Sequence, residues 1–239
     1  MPDGKAAYSP GALVVDRDPA SGGIARLVES VFHDDAYVRF STDGGRTWPT
    51  AIKAPWIGET TLIGAGNGDL VAATRTDGHA GIADPEAPFD RRRAGAERDI
   101  YSGLGVSISK DDGQTWSPVT KLYEAGRHHP SIVLPANHDL VMTYVVRLGY
   151  DDTAEGLPQY GLEAVVSRDH GRTWDLDHQY VLDGWAGAWL ERPDVQLMAP
   201  NETDTVLLPD GSPIAAYGKG FPLPGAQRGV QLVRRRVPD

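Results

Sequence analysis

The chain has 239 residues, 40% of them aliphatic or aromatic, which is enough for one domain with a sizeable core. It contains no cysteine, so disulfides and thiolate metal sites are excluded, and no stretch approaches the ~18 apolar residues of a membrane helix. A formal net charge of −10 argues against nucleic acid as the main partner, the local Arg91-Arg92-Arg93 cluster reading as a solvated loop.

With 28 glycines and 18 prolines, turns are frequent and short strands are expected over long helices. The opening MPDGKAAYSPG has no apolar run; no signal peptide is visible, and a cytoplasmic location is the default expectation. GALVVDRDPASGGIARLVES, residues 11–30, reads as two strands around a Gly-containing turn. A third strand, AYVRF at 36–40, runs into STDGGRTW at 41–48. TTLIGAGNGDLVAATR at 60–75 is the next hairpin; its Gly-rich GAGNGD lies between two strands, so it is a turn and not a phosphate cradle. After a long connection, LGVSI at 104–108 leads into SKDDGQTW at 109–116. PSIVLPANHDLVMTYVVR at 130–147 is the third hairpin, and LEAVV at 162–166 leads into SRDHGRTW at 167–174. A further long connection, 175–202, precedes DTVLLPDGSPIAAYGK at 204–219 and a last strand, GVQLVRRRV at 229–237.

The three octapeptides share Ser-x-Asp-x-Gly-x-Thr-Trp and begin at 41, 109 and 167, at blade-sized intervals. Their chemistry is that of a hairpin turn. Asp accepts backbone N–H bonds of its own turn, Gly supplies positive φ, and Trp offers a large plate to pack between sheets. Asp43, Asp111 and Asp169 are therefore read as structural. Each unit runs strand A, short turn, strand B, long loop, strand C, octapeptide, strand D. Four units are visible, roughly 8–55, 56–123, 124–182 and 200–239, within a single domain, 1–239. The expected fold is all-β: a β-propeller of four-stranded antiparallel blades.

This signature, inside this four-strand unit, resembles the sialidase superfamily of Asp-box or BNR-repeat propellers, and the resemblance covers nearly the whole chain. It implies a carbohydrate-active propeller, an exo-sialidase type of glycosidase if active. Complete members of the family usually have six blades, so four units imply a partial or compact ring, whose exposed edges self-association would cover. Family members open a first-blade strand with Arg-Ile-Pro, the Arg gripping the sugar carboxylate. No Arg-Ile-Pro occurs here; the nearest segment is His128-His129-Pro130-Ser131-Ile132, with His in place of Arg.

Topology points to the working face. The A–B and C–D turns are short and alike, whereas the B–C and D–A connections are long and individual, so function is expected on the face opposite the octapeptides. Strand ends there carry Glu59, Arg127, His128, His129, Glu202 and Asp204 from A strands, and Arg75, Asp77, Arg147, Tyr217 and Lys219 from B strands. Arg75, Arg147 and Lys219 suit a carboxylate. Asp77 or Glu202 would supply acid/base chemistry, with Tyr217 assisting at the reacting carbon. Trp185 and Trp189 stand in a long connection, to stack on a sugar ring or to plug that loop. Alternatively, the charges pair with one another as a rim network. Adjacent His128 and His129 should point to opposite sides of their strand, so no shared metal is expected and no cofactor is implied. The leading expectation is a sialidase-like glycoside hydrolase acting on an acidic glycan, of sialic-acid or uronate type. One alternative is a non-catalytic glycan-binding or interaction propeller. Another is a polysaccharide lyase pairing His128 with Tyr144 or Tyr217.

Overall fold

The computed structural model describes residues 8–32, 34–56, 58–76, 102–147, 159–186, 202–219 and 229–235. They form strands only, in four antiparallel sheets around a common axis: a four-bladed β-propeller. The first blade is β1 (Val14–Arg17), β2 (Ile24–Phe32), β3 (Ala36–Ser41) and β4 (Thr50–Lys53). The second is β5 (Thr60–Gly64), β6 (Leu70–Thr76), β7 (Gly103–Ser109) and β8 (Thr120–Tyr123). The third is β9 (Arg127–Val133), β10 (Leu140–Val146), β11 (Gln159–Ser167) and β12 (Tyr180–Ala186). The fourth contains β13 (Thr203–Leu207), β14 (Pro213–Lys219) and β15 (Gly229–Arg234).

Strands in the middle of the stack are buried on both faces, so their sequences are nearly continuous apolar runs. In β10, Leu140, Met142, Tyr144 and Val146 join Val71, Ala73 and Leu104 of the second blade in one core. The intervening Val141 and Val145 face the other way; Val145 packs with Ala215 and Tyr217 of the fourth blade. Period-two alternation thus sorts one strand's side chains between two interblade cores. Each fully buried aliphatic side chain contributes ~1.5–3 kcal/mol relative to exposure.

The second and third octapeptides each link their blade to the one before it. The Asp111 turn packs on the first blade: Arg26 donates to the Asp112 carbonyl at 3.2 Å and carboxylate at 3.3 Å. The Asp169 turn packs on the second blade, with Arg172 donating to Asp69 at 3.0 Å and His170 Nδ1 2.9 Å from the Ala65 carbonyl. Gly171, at φ +85°, lies so close to Val71 that a Cβ would come within 2.7 Å of a methyl. Among the described residues, the first of these turns meets no other blade at its glycines; a Cβ on Gly45 would touch Leu27 and Trp48 of its own blade. At the other end of the stack, Val206, Val230 and Leu232 of the fourth blade are exposed. The first and fourth blades meet through the segment before β1, where the Tyr8 hydroxyl donates to Glu202 at 3.0 Å.

Candidate functional site

The A–B turns and the octapeptide turns share one face, as Arg172–Asp69 and Arg26–Asp112 show. The ends of the A and B strands that carry the expected site residues therefore lie on the opposite face. Asp43, Asp111 and Asp169 all serve their own turns. The Asp43 carboxylate accepts the Thr47 hydroxyl at 2.6 Å, the Thr47 N–H at 2.9 Å and the Ser41 hydroxyl at 2.8 Å. Asp111 and Asp169 repeat this set. The bonds, led by the Thr47 hydroxyl, hold the Asp43 pKa down at about 2. A carboxylate stabilised this way is a fixed anion, unsuited to acid/base work.

On the face opposite the octapeptides, Arg75 is held from two sides. It donates to both Glu59 oxygens at 3.3 Å and to the Ser102 hydroxyl at 2.8 Å. The Arg75 N–H also bonds the Glu59 carbonyl, which closes the strand end. One blade on, His128, His129 and Arg147 come together. Arg147 is 7% exposed and His128 is fully buried. Neither His128 ring nitrogen has a hydrogen-bond partner among the described residues. Burial, and then Arg147, His129 and Arg75, push its pKa well below 6.5, so the ring is neutral.

The two imidazoles do not point to opposite sides of β9. Their centroids are 4.4 Å apart with planes tilted 38°. His129 adopts φ +51°, and the β9–β10 register shifts between Thr143 and Val145. This bulge breaks the alternation that sequence spacing implies. Even so, no group of three metal-ligating side chains converges among the described residues.

A second cluster lies between the third and fourth blades. The Tyr217 hydroxyl and Lys219 Nζ both donate to one Asp183 oxygen, the latter at 2.8 Å. Burial opposes ionisation of Asp183, but the bonds from Lys219 and Tyr217 outweigh it and hold its carboxyl below the usual range. Burial and the Asp183 carboxylate raise the Tyr217 pKa. Glu202 bonds Tyr8, and Asp204 accepts the Ser131 hydroxyl at 3.2 Å. A cavity of about 310 Å³ beside the segment before β1 is lined by Glu202, Asp204 and Tyr217. Asp77, Trp189 and the Trp185 side chain lie outside the described residues.

No family model and no curated protein sequence matches the chain. Solved structures do. A protein of unknown function from Dyadobacter fermentans superposes with a TM-score of 0.63 at 16% identity, over 95% of this chain and 53% of that one. The NanB sialidase of Streptococcus pneumoniae gives 0.59 at 14% identity, over 98% of this chain and 32% of the sialidase. The fold is that of the propeller sialidases. An α-L-arabinofuranosidase from Fusarium graminearum shares it, with a TM-score of 0.57 at 17% identity, over 93% of this chain and 61% of the enzyme. The chain thus spans about a third to three fifths of the length of these neighbours.

Within this propeller, the expected cations divide into two groups. Arg147 and, more weakly, Arg75 act on His128 through their charge, whereas Lys219 belongs with Asp183 and Tyr217. The rim-network expectation also has support, since Arg75 pairs with Glu59, Arg127 with Glu163 at 3.2 Å, and Lys219 with Asp183. Asp183 and Glu163, on D and C strands, and Ser102, just before a C strand, carry no loop signature in the sequence. The pairing of Tyr144 with His128 is not assembled. The Tyr144 hydroxyl is 2.9 Å from that of Tyr123 in the second-to-third core, while His128 stands opposite Val145, which packs toward the fourth blade.

Proposed function

We propose that the chain is a propeller glycoside hydrolase whose site takes a carboxylate-bearing sugar, of sialic-acid or uronate type. The observation that carries this reading is that Arg147 and Arg75 lie near enough for their charges to act on His128, a buried neutral ring with no hydrogen-bond partner among the described residues. Buried polar atoms are rarely left unpaired, and a sugar hydroxyl or a water can serve either ring nitrogen. The two guanidiniums suit the carboxylate of the same sugar, with Glu59 and Ser102 fixing the direction of Arg75. Asp77 or Glu202 is the acid that protonates the leaving oxygen and then activates water. Tyr217, held by Asp183, assists at the reacting carbon, with Lys219 beside it. Trp185 and Trp189 supply stacking surface for the sugar.

A second reading, a glycan-binding propeller without turnover, is favoured by one specific feature. Tyr217 gives its proton to Asp183 in a hydrogen bond and has a raised pKa, the reverse of an activated nucleophile. The test is product mass after incubation with sialylated and uronate-containing glycans, for wild type and for the Arg75→Ala and Arg147→Ala variants. Fragments that have gained water, lost in both variants, support the hydrolase. Unsaturated fragments would transfer the chemistry to elimination at His128. Binding of the same glycans without product would leave the second reading.

A further inference from the structure

We propose that the His128 site takes up its ligand together with a proton. A carboxylate enters beside the ring as His128 gains a proton from solvent, so binding tightens as pH falls. This coupling rests on the carboxylate-sugar reading and adds to it the protonation state in which the ligand is held.

The placement of the ring carries the coupling. The bulge in β9 packs the two imidazoles together, and His128 stands opposite Val145 in the β9–β10 register. Arg147 follows two residues later, its backbone N–H bonded to the Gly126 carbonyl at 2.8 Å. The His128 ring is thus fixed at the strand end that carries this guanidinium. It is fully buried, while His129 and Arg147 each keep 7% of their surface. A neutral imidazole has one N–H and one bare nitrogen, and in His128 both lack a hydrogen-bond partner among the described residues. Other histidines of the chain are served: His170 Nδ1 lies 2.9 Å from the Ala65 carbonyl, and His178 Nδ1 lies 2.8 Å from an Asp175 oxygen.

The charges acting on His128 are of one sign. They come from Arg147 after β10, His129 on its own strand and Arg75 on β6. Of the other strands packed against β9, β5 and β7 bring no titratable side chain, and on β10 the Tyr144 hydroxyl meets that of Tyr123. The carboxylates around this end of the blades are engaged elsewhere. Glu59 takes Arg75, Glu163 takes Arg127, Glu202 takes Tyr8, and Asp204 of β13 takes Ser131 and the Thr205 N–H. Burial and these cations keep the ring neutral. A ligand carboxylate opposes both causes, because it accepts a ring N–H and offsets the positive charge. Protonation and anion binding then favour each other by the same factor. The proton goes from solvent to the bare nitrogen, and one of the two resulting N–H groups donates to the carboxylate.

Glucuronic acid and N-acetylneuraminic acid, titrated calorimetrically into the full chain from about pH 7.5 to about pH 5.5 in buffers of different ionisation heat, test this. Affinity for at least one should rise ~threefold to tenfold per pH unit as pH falls, with net uptake of up to about one proton. The His128 ring signal in the proton NMR spectrum, assigned by its absence from His128→Asn, should move toward the imidazolium position on saturation. His128→Asn should bind more weakly, with little pH dependence and no proton uptake. The neutral methyl ester of glucuronic acid should cause no uptake in wild type; this comparison needs no variant, so it decides even if His128→Asn fails to fold. Binding without proton uptake, uptake unchanged in His128→Asn, uptake with the ester, or an unshifted ring signal would overturn the coupling and leave the carboxylate reading intact. Binding of neither acid at any pH would overturn both.

Discussion

The octapeptide glycines form a graded series that isolates what each turn contributes between blades. Gly45, Gly113 and Gly171 adopt φ of +87°, +86° and +85°, so replacing any of them by Ala carries the same left-handed backbone penalty, ~1–2 kcal/mol. What differs is the neighbour. A Cβ on Gly45 meets Leu27 at 3.4 Å, an ordinary contact. On Gly113 it meets the Phe40 ring at 3.1 Å, and on Gly171 the Val71 methyls at 2.7 and 3.1 Å. Overpacking of a tight core adds ~1–3 kcal/mol. Gly45→Ala should therefore lower stability by ~1–2 kcal/mol and Gly171→Ala by ~2–5 kcal/mol, with Gly113→Ala between them. Urea unfolding followed by tryptophan fluorescence measures all three on one scale. Equal losses for the three variants would refute the claim that the second and third turns act between blades while the first acts only within its own.

Three further outcomes are expected. His128 has a folded pKa below its unfolded value, so the stability linked to its neutral ring is complete above about pH 6.5 and is lost as pH falls toward the folded value. Between pH 6.5 and 5, urea midpoints of wild type should fall more steeply than those of His128→Asn, by up to ~1.4 kcal/mol per pH unit; parallel profiles would be inconsistent with the burial described. The Thr143 and Thr205 hydroxyls, 2.7 Å apart in the core between the third and fourth blades, should show strong coupling. Thr143→Val orphans the Thr205 hydroxyl and should destabilise by ~1–3 kcal/mol, whereas Thr205→Val leaves the Thr143 hydroxyl its second acceptor, the Ser131 carbonyl at 3.4 Å, and should cost less; the double change should cost less than the sum of the two in a mutant cycle. Tyr217→Phe removes a part-buried hydrogen bond to a carboxylate and should destabilise by ~1.5–3 kcal/mol, measured by thermal unfolding; Asp183→Asn in the same background should add a further loss, because Lys219 also donates to that oxygen.

What was legible in the sequence was what local chemistry controls. The Ser41–Asp43–Thr47 bonds span at most four residues, so the three turns announced themselves and with them the blades. The short, alike A–B turns likewise put Arg75, His128 and Arg147 on the face opposite the octapeptides. The rest depended on distant residues meeting. Asp183 reaches Tyr217 and Lys219 from 34 and 36 positions away, and Arg127 reaches Glu163 from 36. No spacing rule encodes such pairs. The His128–His129 contact failed for a different reason: alternation assumes a regular strand, and the register shift in β9–β10 removes that assumption at this position.

The turn-on-blade contacts also give the stack a direction. The second and third turns reach back to the preceding blade, whereas the first, among the described residues, packs at its glycine on its own blade, so the joints all run one way. An array built from one-way joints can be lengthened or shortened by whole units without redesigning any existing joint, because every new blade brings its own fastener. It should also come apart as a ladder of nearest-neighbour terms. Amide exchange is expected slowest in β6, whose blade is fastened by a turn on both sides, and fastest in β1 and β15. Blade number is then a quantity that duplication or deletion can adjust while the chemistry at each strand end varies independently.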